Sequence, residues 1–244
     1  MLKNCILIML LPLFLSGCLK QGKTSPRLVM FVGIDVSGSY KSTPHFNDSL
    51  RFLSRYIHLH INGKLDQPKD LFVGTIGGKR GGKRKTFFPI ESFQNKSVKG
   101  IERKLRQIFA QAKEDPITDF NAFFEQAALM IKERKLILRP ISLVLLTDGI
   151  PDFKGIKGDR RYKKIQLKPL ENLSRNVTVR VLYTTPNAAH GWQNLVPRKR
   201  VKVWTQDAPV MGEWKEVFRL KNKSKRINWI KRNVNFPVRL KRVD

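Results

Sequence analysis

From Leu28 onward, short unbroken apolar runs alternate with stretches whose apolar positions recur every three or four residues. LVMFVGID (28–35), PISLVLLTDG (140–149) and NVTVRVLYTT (176–185) read as strands buried on both faces, and KRVKVWT (199–205) as a further strand. LFVGTIG (71–77) and TFFPI (86–90) read as two strands around a glycine-rich basic turn. Leu50, Leu53, Ile57 and Ile61 share one helix face; Ile101, Leu105, Ile108 and Phe109 mark a second helix, and residues 120–136 a third. A last helical stretch runs from Glu213 to Val234, with Trp214, Val217, Phe218, Ile227 and Ile230 inward. This alternation predicts an α/β fold, doubly wound, with a mostly parallel central sheet and helices on both faces. In such sheets ligands gather at the carboxyl ends of strands beside the topological switch point. Asp35 and Asp148 close two of the buried strands and are therefore the first positions to consider.

The 244 residues carry 48 Lys and Arg against 19 Asp and Glu, a formal net charge of +29, with 41% hydrophobic residues to build a core. Charge of one sign at this density attracts anionic partners over distance and is screened by salt, but it does not choose among them. Half of the basic residues, 24, lie from Lys154 on, with 6 acidic ones. Both cysteines, Cys5 and Cys18, sit near the N-terminus, so neither a disulfide framework nor a thiolate zinc cluster can staple the body of the chain.

The first twenty residues are Lys3, an apolar run from Ile6 to Leu15 broken by Pro12, then Leu15-Ser16-Gly17-Cys18. The run is short for a membrane span, which needs about 20 residues. A plain secretory leader or an anchor would fit this pattern. The LSGC segment resembles the lipobox of bacterial lipoproteins, which implies cleavage before Cys18 and diacylglyceryl attachment to its sulfur, giving a membrane-anchored rather than spanning protein. Leu19, where an Asp would favour inner-membrane retention, directs the expectation to the outer membrane facing the periplasm.

Asp35-Val36-Ser37-Gly38-Ser39 directly follows the first strand. One carboxylate and two hydroxyls at alternate positions of a tight loop can aim three hard oxygen donors at one point. The segment resembles the metal-ion-dependent adhesion site, D-x-S-x-S, of von Willebrand factor type A domains. The resemblance covers about residues 28–205. It implies a threonine from a second loop, which Thr118 matches, and an aspartate in a T-D-G turn, which Asp148 matches. Such a site holds Mg2+, with Mn2+ and Ca2+ as alternatives, and leaves one coordination position for an acidic residue of a protein partner. The sequence departs from the family at Tyr40, where many members carry Met, and at Asp115-Pro116, which replaces the glycines that often precede the threonine. Without a metal, the same residues read as helix caps and ordinary turns. Asp119 reads as a first-turn helix acid.

Lys79, Arg80, Lys83, Arg84 and Lys85 place five charges at a hairpin tip, either a solvated loop or a contact for a polyanion such as lipopolysaccharide, phospholipid or nucleic acid. Among the tryptophans, Trp204 and Trp214 read as core or edge packing, while Trp192, in a glycine-containing loop, is the exposed contact candidate. His58, His60 and His190 show no ligand spacing. Catalysis has no signature here: GxSxG, GxxxxGK[ST] and HExxH are absent, and Ser37 stands where phosphoryl transfer through Asp35 would want a second acid. The expected organisation is a signal peptide (1–17), lipidated Cys18 and tether (18–26), an A-type domain (27–207) and a basic C-terminal helical extension (208–244). Its expected role is non-catalytic, metal-dependent protein binding. The alternatives are a polyanion-binding surface protein and a metal-dependent phosphoesterase.

Overall fold

The computed structural model describes residues 28–62, 70–76, 86–110, 117–220 and 222–235. In chain order the elements are β1 (Val29–Ile34), α1 (Gly38–Lys41), α2 (Pro44–Ile61), β2 (Asp70–Thr75), β3 (Phe88–Pro89), α3 (Val98–Leu105) and α4 (Phe120–Glu133). They continue with β4 (Ile141–Leu146), α5 (Lys168–Glu171), β5 (Val177–Thr184), α6 (Pro186–His190), β6 (Lys202–Asp207), α7 (Ala208–Gly212), α8 (Trp214–Arg219) and α9 (Lys223–Asn233). The strands form one sheet in the order β3-β2-β1-β4-β5-β6. All pairs are parallel except the short β3 edge, which runs antiparallel to β2. The α/β, doubly wound class expected from the sequence is the class observed.

Each central strand divides its side chains between two cores because successive residues point to opposite faces. Met30, Val32 and Ile34 of β1 join α1–α3 and α7–α9 on one face. Val29 and Phe31 join α4, α5 and residues 188–201 on the other. Residues of both kinds are buried, which is why these strands read as unbroken apolar runs rather than as alternating ones. Pro44 opens α2 at a position where its missing N–H is no loss, and Asp119 caps α4 by accepting from the Ala122 N–H at 2.9 Å.

The segment from 208 on, expected as a helical extension, forms three short helices, and Met211, Trp214, Trp229, Ile230 and Val234 enter the first core. Two polar anchors tie it down. Arg180, buried in β5, donates to Ser142 of β4 and to the Asn235 carbonyl at 2.9 Å. Asp48 of α2 receives the Tyr183 hydroxyl at 3.1 Å, the Trp214 indole N–H at 3.0 Å and the Lys215 ammonium at 2.9 Å. A buried carboxylate needs such partners to offset its loss of water. Trp204, expected in core or edge packing, lies on edge strand β6 and is 44% exposed.

Gly33 of β1 lies under α4: a Cβ there would come within 2.7 Å of Ile76 Cγ1 and 2.9 Å of the Phe123 ring. Gly33→Ala is expected to lower unfolding free energy by about 1–3 kcal/mol through overpacking. Gly212→Ala, where nothing lies within 4 Å, is expected to be neutral or slightly stabilising; urea titration of both variants measures the two effects.

Candidate metal centre

The strand order places the switch point between β1 and β4: the chain leaves β1 toward β2 on one side and later returns to β4 on the other. The parallel ladder pairs Ile34 with Leu146, and the ladder continues past both strand ends. The Asp35 N–H donates to the Leu146 carbonyl at 3.0 Å, and the Thr147 N–H to the Leu182 carbonyl at 3.1 Å. Asp35 is thereby set beside Thr147.

Asp35 is fully buried. Its Oδ1 accepts the Ser37 N–H at 2.9 Å, closing the turn, and its Oδ2 accepts the Thr147 hydroxyl at 2.6 Å. Ser37 is buried and Ser39 exposed, and their hydroxyl oxygens lie 3.2 Å apart. Asp148 follows Thr147, and its Oδ1 accepts the Ile150 N–H at 2.9 Å. Thr118, also buried, opens the loop before α4, and its carbonyl accepts the Asp152 N–H at 3.4 Å from the loop that follows Asp148. The structure therefore brings Asp35, Ser37, Ser39 and Asp148 to one end of the sheet and sets the Thr118 backbone against the same loop.

Burial pushes the Asp148 carboxyl up to about 6 from 3.8, and the Asp35 charge adds to the rise against the Ile150 N–H, the Thr147 hydroxyl and Arg161. Two carboxylates close enough to repel, in a desolvated crevice, are what a cation between them would relieve. The donors are carboxylates and hydroxyls, the set that hard divalent ions prefer. The residues thus fit a hard divalent ion. Among the described residues no three His, Cys, Asp or Glu side chains group to hold a metal, so a cation here depends on the hydroxyls.

Two residues matter more than their sequence context indicates. Thr147 bridges the two motifs, because its hydroxyl donates to Asp35 while accepting the Gly149 N–H at 3.1 Å. Trp192, expected to be exposed, is instead completely buried. Its indole N–H donates to the Gly149 carbonyl at 2.8 Å, and its ring meets Phe120 edge-on at 5.0 Å. The spacing of Ala188, Trp192 and Val196, all buried, is the helical signal that its glycine neighbour obscures. Gly149 itself has φ +80, and a Cβ would lie 3.0 Å from Thr184 Cγ2. Tyr40 is buried in the core behind the loop, edge-on to Phe46 at 6.1 Å. Cys18 and the basic cluster Lys79, Arg80, Lys83, Arg84 and Lys85 lie outside the described residues. Among the described residues no helix is long and apolar enough to cross a membrane.

No protein-family model and no curated protein matches the chain. Solved structures with a similar chain path include the pilus adhesin SpaC from Lactobacillus rhamnosus GG, at 11% identity and TM-score 0.49, covering 87% of this chain and 31% of that one. The von Willebrand factor type A (VWA) domain of SpRpn10 aligns at 13% identity and TM-score 0.43, over 75% of this chain and 90% of that one. Proximal thread matrix protein 1 from the mussel byssus aligns at 12% identity and TM-score 0.42, over 79% of this chain and 45% of that one. Another structure of that mussel protein has zinc in its MIDAS motif. This chain spans less than half the length of the mussel and pilus proteins.

Thr147→Val leaves buried Asp35 one donor short and is expected to destabilise by about 1–3 kcal/mol in chemical unfolding. In EDTA, the folded state binds a proton at Asp148 that the unfolded chain releases, so this group's contribution to stability grows as pH falls from about 6 to about 4. Asp148→Asn is expected to remove that component from melting temperatures measured across the window.

Proposed function

We propose that the chain is a non-catalytic binding domain of the von Willebrand factor type A kind, which captures a protein partner through a divalent cation. The observation that carries this reading is the junction of the two motifs, with the Thr147 hydroxyl 2.6 Å from the Asp35 carboxylate and Asp148 next in sequence. Asp35 and Asp148 would supply negative charge to the ion, Ser37, Ser39 and Thr118 neutral oxygens, with Mg2+ the preferred occupant. When bound, the ion offers a positively charged coordination position that a partner's Asp or Glu completes.

The chain's own residues favour an acidic visitor. Residues 158–164 form a 3-10 segment carrying Arg160, Arg161, Lys163 and Lys164, with Arg161 close enough to act on the Asp148 charge. Exposed cations beside the ion raise the encounter rate of an acidic surface. Hydroxyls at three of the five positions leave Asp35 and Asp148 as the carboxylates of the site, and Ser37 stands where phosphoryl transfer would want a further acid. Acylation of Cys18 would hold the domain at the bacterial envelope, on the outer membrane facing the periplasm.

The test is capture of partners from solubilised envelope membranes by immobilised protein, with magnesium or EDTA, at low and high salt. Metal-dependent adhesion predicts loss of capture in EDTA and in Asp35→Ala and Ser37→Ala, which should keep the parent's circular dichroism. Capture that ignores EDTA but falls steeply with salt would replace this reading with polyanion binding. Cys18→Ser is expected to move the protein from the membrane to the soluble fraction and abolish palmitate labelling.

A further inference from the structure

A second charged feature lies on the helical face of α2, α3 and α8. A cleft of about 360 Å3 is lined by Arg51 and Arg55 of α2, Glu102 of α3, and Trp214, Lys215, Phe218 and Arg219 of α8. Four cations thus face one acid, and that acid is already engaged. Glu102 Oε1 receives Arg106 at 3.0 and 3.2 Å and stands 3.6 Å from Arg51 Nε. Lys215 is balanced by Asp48. Arg219 pairs with Glu216 in an exposed contact that solvent weakens.

Arg55 is the unusual member. Its guanidinium lies over the Trp214 ring at 4.8 Å and donates to the Arg51 carbonyl at 3.1 Å, and among the described residues it meets no carboxylate. Burial pushes it below its ordinary value, with the Arg51 charge adding to the fall against the more distant pull of Glu102 and Asp48, so its charge sits in a partly desolvated place without an ion pair among the described residues. The contact with the Trp214 ring and the bond to the Arg51 carbonyl restrain the guanidinium, and Trp214 is in turn held by Asp48. The cation is therefore pre-positioned before any ligand arrives, which lowers the ordering cost of binding.

We propose that this cleft binds a phosphate-bearing ligand, with Arg51, Arg55 and Arg219 as donors to the phosphate oxygens. Several planar forks lining one cleft suit a tetrahedral oxyanion, and the volume falls within the roughly 300–1,000 Å3 of small-ligand sites. The ligand's source is either a soluble phosphate compound or the headgroup of an anionic phospholipid. The cleft uses none of the metal-site residues, so the two activities are independent.

Calorimetry with inorganic phosphate on the mature full chain, in EDTA and at constant ionic strength, tests the chemistry. Sedimentation with phosphatidylcholine vesicles, with and without phosphatidylglycerol, tests the lipid source. Arg55→Gln and Arg51→Gln are each expected to weaken binding by about tenfold, the loss of one charge-assisted contact. The charge-matched control Lys223→Gln on α9 should bind as the parent. Should Arg55→Gln fail to fold, exposed Arg51 carries the test. Phosphate binding that follows this pattern supports the proposal with a soluble ligand, and vesicle binding alone that follows it supports a lipid headgroup. Failure to bind in both arms, or equal losses in the α9 control, would overturn it.

Discussion

Ile34 faces Leu146 across a parallel ladder, and everything at the proposed centre follows from that register. A shift of one residue would turn every side chain of β1 to the opposite face and bury Gly33 and Phe31 where Ile34 and Val32 now pack. The register is fixed because both faces of β1 and β4 are buried, each against its own layer of helices. Its consequence at the strand ends is chemical. It sets a fully buried carboxylate beside a threonine hydroxyl that donates to it, so Asp35 is held in one orientation by the Ser37 N–H and the Thr147 hydroxyl.

The second strand end is held from behind. Gly149 turns the chain with a positive φ, Trp192 grips its carbonyl, and Phe120 and Phe124 of α4 pack against the Trp192 ring. The helix that begins just after Thr118 thus supports the turn that carries Asp148, so the three loops form one packed unit. The price of this arrangement is electrostatic: Asp148 is raised because water is excluded and Asp35 is near. Rigid oxygen donors with unrelieved negative charge suit a hard cation. In the cleft between α2, α3 and α8 the imbalance has the other sign, with four cations around one acid and Arg55 over the Trp214 ring.

Much of this was legible in the sequence, for physical reasons. Doubly buried strands give continuous apolar runs, so β1, β4 and β5 stood out, and their terminal acids marked the crevice. Asp35, Ser37 and Ser39 were legible because they are local to one loop. Long-range contacts were not: nothing adjacent to Thr147 signals its bond to Asp35, 112 positions away. Trp192 was misread because Gly191 looks like a loop residue, whereas Gly191 is there to let the chain pass close to Tyr162, whose ring a Cβ would meet at 2.5 Å. The anchoring of residues 208–235 by Arg180 and Asp48 was hidden for the same reason, since a basic stretch with scattered aromatics reads as an appendage until its partners in β5 and α2 are seen.

The central claim is that side-chain oxygens from three separate loops converge on one divalent ion. Crystals soaked in manganese and measured at an anomalous wavelength address it directly. The account predicts a single strong peak between Asp35 and Asp148, coordinated by the hydroxyls of Ser37 and Ser39. No peak there at saturating manganese, with both carboxylates in the positions described, would contradict it.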